Sequence, residues 1–190
     1  MSEVGASMGS QTRNNAFGDP TNVYEALPQA HPEAVVVYCG DPRLQTAFEP
    51  FIENGLGLQK GQYIPLVVGG GAGVLAYPEK LPKEFKFMKD RFELIHRAFP
   101  SVKRAVLINH EDCIYYRLLA EKIPGFLADG ASKLTDRPGA DLDVIAGVFD
   151  RLLSHFGFQP EFYYGRFVSE DHSKVTFDRV FAATPERVPS

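Results

Sequence analysis

Cys39 and Cys113 are the only cysteines in the chain, and each stands in a short run of groups able to bind a metal. Cys39 opens Cys39-Gly40-Asp41-Pro42-Arg43, directly after the apolar run Ala34-Val35-Val36-Val37-Tyr38. Cys113 closes His110-Glu111-Asp112-Cys113, directly after Val106-Leu107-Ile108-Asn109. Two thiolates and one imidazole form a three-ligand set that suits Zn2+ and leaves a fourth position open, which is the arrangement of metal-assisted catalysis. Arg43, two residues beyond Asp41, is placed for a charge-assisted and bidentate contact with that carboxylate. The contact would keep Asp41 ionised and oriented as a proton acceptor.

The elements around these motifs must bring them together. Ala34 to Cys39 reads as a strand buried on both faces, and Leu44 to Asn54 as a helix stopped by Gly55. Tyr63 to Val68 is a second strand, ending in the run Gly69-Gly70-Gly71-Ala72-Gly73. Lys83 to Phe99 is an amphipathic helix, with Phe85, Met88, Phe92, Ile95 and Phe99 recurring at helical spacing. Arg104 to Asn109 is a third strand, and a helix follows from near Glu111 to about Ile123. A loop carrying Gly125, Gly130, Pro138 and Gly139 leads to a helix over roughly Asp141 to Phe156, with Leu142, Ile145, Phe149, Leu152 and Phe156 on one face. Glu161 to Val168 and Lys174 to Phe181 close the chain as a strand pair around a solvated turn at Glu170-Asp171-His172-Ser173.

Such alternation predicts an α/β fold: an open, mainly parallel sheet of order 2-1-3-4 with an antiparallel edge strand, flanked by helices on both faces. In that order the crevice lies between the carboxyl ends of strands one and three. Cys39 ends the first and His110 the third, so the topology itself predicts that the two motifs meet.

Composition narrows the remaining choices. With a net charge of -4, the chain is a poor match for a nucleic-acid backbone. No apolar stretch is long enough to span a bilayer, and no secretory signal is visible. Two cysteines in 190 residues do not make a disulfide scaffold, so a reducing, cytoplasmic setting is expected, with a Cys39–Cys113 disulfide as the alternative. Residues 1–20, rich in Ser, Gly, Asn and Gln, read as a flexible segment, and residues 21–190 as one domain with a short helical arm from Thr21 to Pro32. Gly71-Ala72-Gly73-Val74-Leu75-Ala76 formally matches a dinucleotide fingerprint, but Tyr77-Pro78 interrupts the helix that motif requires. The glycines instead read as a tight loop that lets backbone approach the metal pocket. His31 and His172 are expected to be solvated, and His96 and His155 to lie on helices.

Cys-x-Asp-x-Arg followed downstream by His-x-x-Cys resembles the β-class carbonic anhydrase family, over roughly residues 34–181. The resemblance implies zinc on Cys39, His110 and Cys113, with Asp41 and Arg43 as the catalytic pair. Asp41 would be a possible fourth ligand, drawn away by Arg43 to leave room for water. Gly71, Ala72 and Gly73 would border the substrate pocket. The implied activity is reversible hydration of carbon dioxide to bicarbonate by a zinc-activated water, whose pKa falls to about 7 in an open site and less far beside two thiolates. Hydrolysis of a sulfur analogue such as carbonyl sulfide, or a catalytically silent zinc-binding or anion-sensing role, are the alternatives. The family also implies a homodimer or higher homo-oligomer. Two departures stand out. Gly70-Gly71-Ala72-Gly73-Val74 replaces the family's Arg-Asn-Ala-Gly-Asn, and Ile114 replaces the glycine after the second cysteine.

Overall fold

The valine-rich run Ala34–Cys39 forms strand β1, with Ala34 through Val37 wholly buried because both faces of the sheet are covered by apolar layers. In this computed structural model, which describes residues 24–123 and 136–180, it is one of five strands. The others are β2 (Tyr63–Val68), β3 (Arg104–His110), β4 (Gln159–Phe167) and β5 (Val175–Val180), in the order β2-β1-β3-β4-β5. All neighbours run parallel except β5, which pairs antiparallel with β4 at the edge. This is the α/β sheet and strand order that the sequence predicts.

The helices are α1 (Gln45–Pro50), α2 (Pro82–Ala98), α3 (Ile114–Lys122) and α4 (Arg137–Leu152). From β1 the chain steps to β2 in one direction, then to β3 and β4 in the other. Right-handed connections therefore put α1 on one face and α2 and α4 on the opposite face. On the first face Phe48 packs against Tyr38 and Phe177, with centroids 4.6 and 5.4 Å apart, while Phe51 stacks on Phe177 at 4.4 Å. On the second, Phe92 of α2 meets Phe149 of α4 edge-on at 5.8 Å. Phe48, Phe92 and Phe149 are almost fully buried, and each contributes about 2–3 kcal/mol of apolar burial, enough to fix its helix to the sheet.

Several boundaries differ from the sequence reading. The first helix starts at Gln45 and widens into a π-helical turn over Phe51–Gly55, because Pro50 has no N–H to donate within the helix. Residues 24–33 carry no helix, and Pro28 and Pro32 account for the absence of an arm there. The helix expected from Glu111 begins only at Ile114, after Asp112 takes a positive φ of 50° and Cys113 serves as the cap. The helix expected from Asp141 begins at Arg137, since Pro138 is at home in a first helical turn. It ends at Leu152, with a 3-10 turn over Ser154–Phe156. The expected segment 1–20, Thr21–Val23, Gly125, Gly130 and Phe181 lie outside the described residues. Among the described residues no helix is long and apolar enough to cross a membrane.

The sheet opens at one place. β1 and β3 pair only from Ala34↔Arg104 to Val37↔Leu107, yet β1 stays paired with β2 to Cys39↔Val68, and β3 with β4 to His110↔Gly165. The last residues of β1 and β3 thus part from each other while each is held by its outer neighbour. Gly71 lies in this gap: a Cβ there would stand 2.6 Å from Ile108 O and 3.3 Å from Cys39 N. With φ at 57°, this position suits glycine in conformation as well as in size.

Candidate metal centre

Cys39 closes β1, His110 closes β3, and Cys113 caps α3, so all three reach the gap from element ends. One ligand atom from each lies within 4.8 Å of the other two, and all three residues are buried. The sulfurs are 3.6 Å apart, far beyond the length of about 2.05 Å of a disulfide bond, and both cysteines are free. A tetrahedral ion with Zn–S bonds of about 2.3 Å holds two sulfurs about 3.8 Å apart, so the spacing fits zinc.

The imidazole is prepared for the same task. His110 Nδ1 donates to the Glu111 carbonyl oxygen at 2.8 Å, and this carbonyl can only accept. The proton therefore sits on Nδ1, which leaves the Nε2 lone pair available, as in metal-binding histidines anchored through their other nitrogen. Nε2 is buried and has no hydrogen-bond partner among the described residues. A buried, unsatisfied nitrogen costs free energy unless something meets its lone pair.

The thiols influence one another. Cys113 hydrogen-bonds Cys39 and, against the cost of burial, holds the Cys39 pKa down to about 5, helped by His110 and the Gly70 amide. The hydrogen bond with Cys39, then burial and the charge on Cys39, push the Cys113 thiol up. The backbone amides of Tyr116 and Tyr115, at the start of α3, lie against the Cys113 sulfur and favour its thiolate. Gln45 Nε2 donates to the Cys39 and Asp41 carbonyls at 3.0 and 2.8 Å, fixing the turn between them.

Asp41 is buried and does not belong to the three-residue ligand cluster; both of its oxygens are taken by Arg43. Arg43 donates from Nε to Oδ1 at 3.1 Å and from Nη2 to Oδ2 at 2.8 Å, and its backbone N–H adds a third bond at 3.0 Å. Burial raises the Asp41 pKa, but the Arg43 bonds outweigh it and the net shift is downward. The same guanidinium reaches Asp112 and lies 5.5 Å from the Phe167 ring centroid. Arg117 holds the other Asp112 oxygen.

The glycine segment does two separate things. Gly71, Ala72 and Gly73 are buried in a 3-10 turn, Gly73 being pressed so close to Tyr116 that a Cβ would lie 2.0 Å from its hydroxyl oxygen. Gly69 and Val74, on either side, line a cavity of about 340 Å3 with Val68, Lys83, Phe87 and Met88. His31, His96, His155 and His172 are exposed and stand apart from the cluster, with His172 stacked on Phe167 at 4.5 Å.

Other participants were hidden inside the quoted motifs. Glu111 and Asp112 fill the two unspecified places between His110 and Cys113. Glu111 accepts the Phe167 N–H and donates its own to Gly165 O, which ties β4 to the end of β3. Behind His110, Asn109 Nδ2 donates to Pro138 O at 2.8 Å and to Tyr116 Oη at 3.2 Å. Tyr116 in turn hydrogen-bonds Asp141, part of a buried group with Tyr77 and Arg137. No spacing rule links these residues, because they converge from β3, α3, α4 and the loop that carries Tyr77.

No model of a known protein family matches the chain, and no curated protein matches it by sequence. Among solved structures it is similar to a β-carbonic anhydrase of Aspergillus fumigatus, at 18% identity and a TM-score of 0.45, covering 83% of this chain and 79% of the other. It is also similar to tetrameric β-carbonic anhydrases of Sordaria macrospora, at 15% identity and 0.46, covering 78% and 81%. For a carbonic anhydrase of Streptococcus mutans the values are 17% and 0.44, covering 82% and 87%.

Proposed function

We propose that the chain holds zinc on Cys39, His110 and Cys113 and catalyses the reversible hydration of carbon dioxide to bicarbonate. The observation that carries this reading is the buried Nε2 of His110, without a hydrogen-bond partner among the described residues, beside two sulfurs 3.6 Å apart. Zinc bound there would supply Lewis acidity, acidifying a water in the open position, though less than in a site without thiolates. Asp41 is the proton acceptor in this reading, kept ionised and aimed by three hydrogen bonds from Arg43. The splayed ends of β1 and β3 provide the crevice, and the apolar residues around it limit access of bulk water. Gly71, Ala72 and Gly73 act by shaping the crevice floor rather than by offering side chains. Hydrolysis of carbonyl sulfide belongs to the same chemistry, and comparing turnover of the two gases separates them.

A second reading, a silent zinc-binding or anion-sensing homologue, is favoured by one feature: the bulky Tyr115 ring stands against Gly69, at the head of the glycine segment. Zinc per chain, by elemental analysis of protein purified without added metal or chelator, tests the site first. A value near one supports it, and a value near zero overturns it. Stopped-flow hydration of carbon dioxide then decides between the enzyme and the silent homologue. The assembly belonging to this reading is a homodimer or larger, which a monomer by light scattering would contradict. A reducing cytoplasm would keep both thiols available.

A further inference from the structure

We propose that Cys39 and Cys113 form a redox switch: hydrogen peroxide closes a disulfide between them when zinc is not bound, and zinc and the disulfide exclude each other. The inference rests on the zinc reading and adds what controls retention of the metal. The sequence holds no other cysteine, so a disulfide within the chain has one possible pairing. The two sulfurs stand 3.6 Å apart although 74 positions separate them in sequence. Reaching the disulfide length requires them to approach by about 1.5 Å.

The two sides are held differently. Cys39 is fixed, because β1 stays paired with β2 to Cys39↔Val68 and the Cys39 carbonyl accepts from Gln45 Nε2 at 3.0 Å. Cys113 lies between β3 and α3, as the extended cap of the helix, directly after the positive φ of Asp112. It is therefore the sulfur with room to move. Arg43 nevertheless keeps it close: the guanidinium binds Asp41, two residues after Cys39, and Asp112, directly before Cys113. This tether contains no metal, so the sulfurs stay in reach of each other when zinc leaves.

Both cysteines are buried, Cys113 at 3% exposure against none for Cys39, which keeps a bulky thiol such as glutathione off the sulfurs and favours a small oxidant. The Cys113 sulfur attacks one peroxide oxygen, the O–O bond breaks, and the departing hydroxide leaves as water with the thiol proton. Cys113 is then a sulfenic acid. The Cys39 sulfur attacks the Cys113 sulfur, the S–O bond breaks, and a second water leaves with the Cys39 proton. Two electrons pass from the sulfurs to the peroxide oxygens. A resolving thiol this near intercepts the sulfenic acid before further oxidation. The disulfide removes both thiolate ligands and leaves His110 alone, while zinc engages the same sulfur lone pairs and shields them.

The test compares protein stripped by a chelator with the same protein reloaded with zinc. Each is treated with hydrogen peroxide, unfolded, alkylated and mapped by mass spectrometry. Metal-free protein should lose both free thiols and yield peptides joined through Cys39 and Cys113 in monomeric chains. Zinc-loaded protein should do so at least about tenfold more slowly. Oxidised protein should take up no zinc, and reduction with dithiothreitol should restore uptake. Cys39→Ser and Cys113→Ser should stop at sulfenic or sulfinic acid. Equal rates with and without zinc overturn the switch. So does metal-free wild type that ends in sulfinic acids or in chains cross-linked to one another. Protein that takes up no zinc before any oxidant is added overturns the zinc reading and the switch with it, a result distinct from equal oxidation rates.

Discussion

Arg43 and Asp112 meet across 69 positions of sequence: Nη1 donates to Asp112 Oδ2 at 2.9 Å, and Nη2 to the Asp112 carbonyl oxygen at 2.7 Å. Because the same guanidinium binds both oxygens of Asp41, it fastens the turn after Cys39 to the turn before Cys113. Five donors in a planar fork can serve two carboxylates at once, which an ammonium cannot do with the same geometry. The positive φ of Asp112 is the local cost of this contact, tolerable because aspartate enters that region more readily than most residues.

Replacing Arg43 by Met should therefore destabilise the protein even without metal. Asp41 is buried and would lose its only cation in the clasp, but Arg43 itself is 39% exposed, so solvent screens part of the loss. The expected cost is about 2 kcal/mol, below the roughly 3–5 kcal/mol of a fully buried pair. Burial raises both the Asp41 and Asp112 pKa values, yet the arginine contacts win and both end below the ordinary carboxylate value of about 3.9. A depressed folded pKa contributes stability that is complete above the unfolded value and is lost as pH falls through the folded one. Urea unfolding of metal-free wild type and Arg43→Met should thus differ by a constant amount above about pH 5, and the gap should close toward pH 3. A gap independent of pH down to 3 would contradict the clasp.

Metal binding should be visible as stability. Ligands brought together by folding bind zinc only in the native state, so zinc at a hundredfold excess over its dissociation constant adds about 2.7 kcal/mol. Differential scanning fluorimetry with and without a chelator should show the melting temperature falling on zinc removal. Cys39→Ser, His110→Ala and Cys113→Ser should each abolish the difference. A chelator effect that survives His110→Ala would place the metal elsewhere.

Much of this arrangement could be read in the sequence, for identifiable reasons. Strands β1 and β3 announced themselves by unbroken apolar runs, and the strand order then put Cys39 beside His110 without any need for distances. The Asp41–Arg43 contact was legible because it spans only two residues. Asp112 was not, although it lies inside a quoted motif, because its role depends on a turn with positive φ that spacing does not encode. Tyr115 and Tyr116 carry no motif of their own in the sequence. Which glycine receives each ring, Gly69 for one and Gly73 for the other, is a property of packing between elements. The start of α4 was misplaced for a similar reason: Pro138 and Gly139 read as loop residues, yet Asn109 holds the Pro138 carbonyl against the end of β3.

Gly71→Ala should be damaging on two counts, space and conformation. The added carbon would face the Ile108 carbonyl oxygen at 2.6 Å, a backbone atom that cannot rotate away, and φ at 57° is unfavourable for alanine. Conformation costs about 1 kcal/mol and overpacking about 1–3 kcal/mol, so a total loss near 3 kcal/mol is expected in urea unfolding. The methyl would also push apart the strand ends that carry Cys39 and His110, so zinc affinity should fall with stability. Gly57→Ala, where a Cβ meets nothing within 4 Å but φ is 69°, is the control that isolates the conformational part. Equal losses at the two sites would mean that the close approach at Gly71 is not what holds the gap.

The buried group behind the site should separate fold from chemistry. Arg137 Nε donates to Asp141 Oδ1 at 2.8 Å and to Tyr77 Oη at 2.6 Å, and the Arg137 and Asp141 side chains are only 5% and 1% exposed. Burial raises the Asp141 pKa, and Tyr77, Arg137 and Tyr116 oppose it without cancelling it. Taking the cation away leaves that carboxylate still worse placed, so Arg137→Met should cost about 3 kcal/mol. Adding Asp141→Asn removes the stranded charge, and the double variant should recover at least about 1 kcal/mol relative to the sum of the single changes. None of these groups is a proposed ligand, and Tyr116 keeps its bond to Asn109 through its own hydroxyl. Zinc per folded chain should therefore stay near one in all three variants while their unfolding midpoints move. Loss of zinc in step with stability would instead show that the buried charges hold the ligands in place through Tyr116 and Asn109.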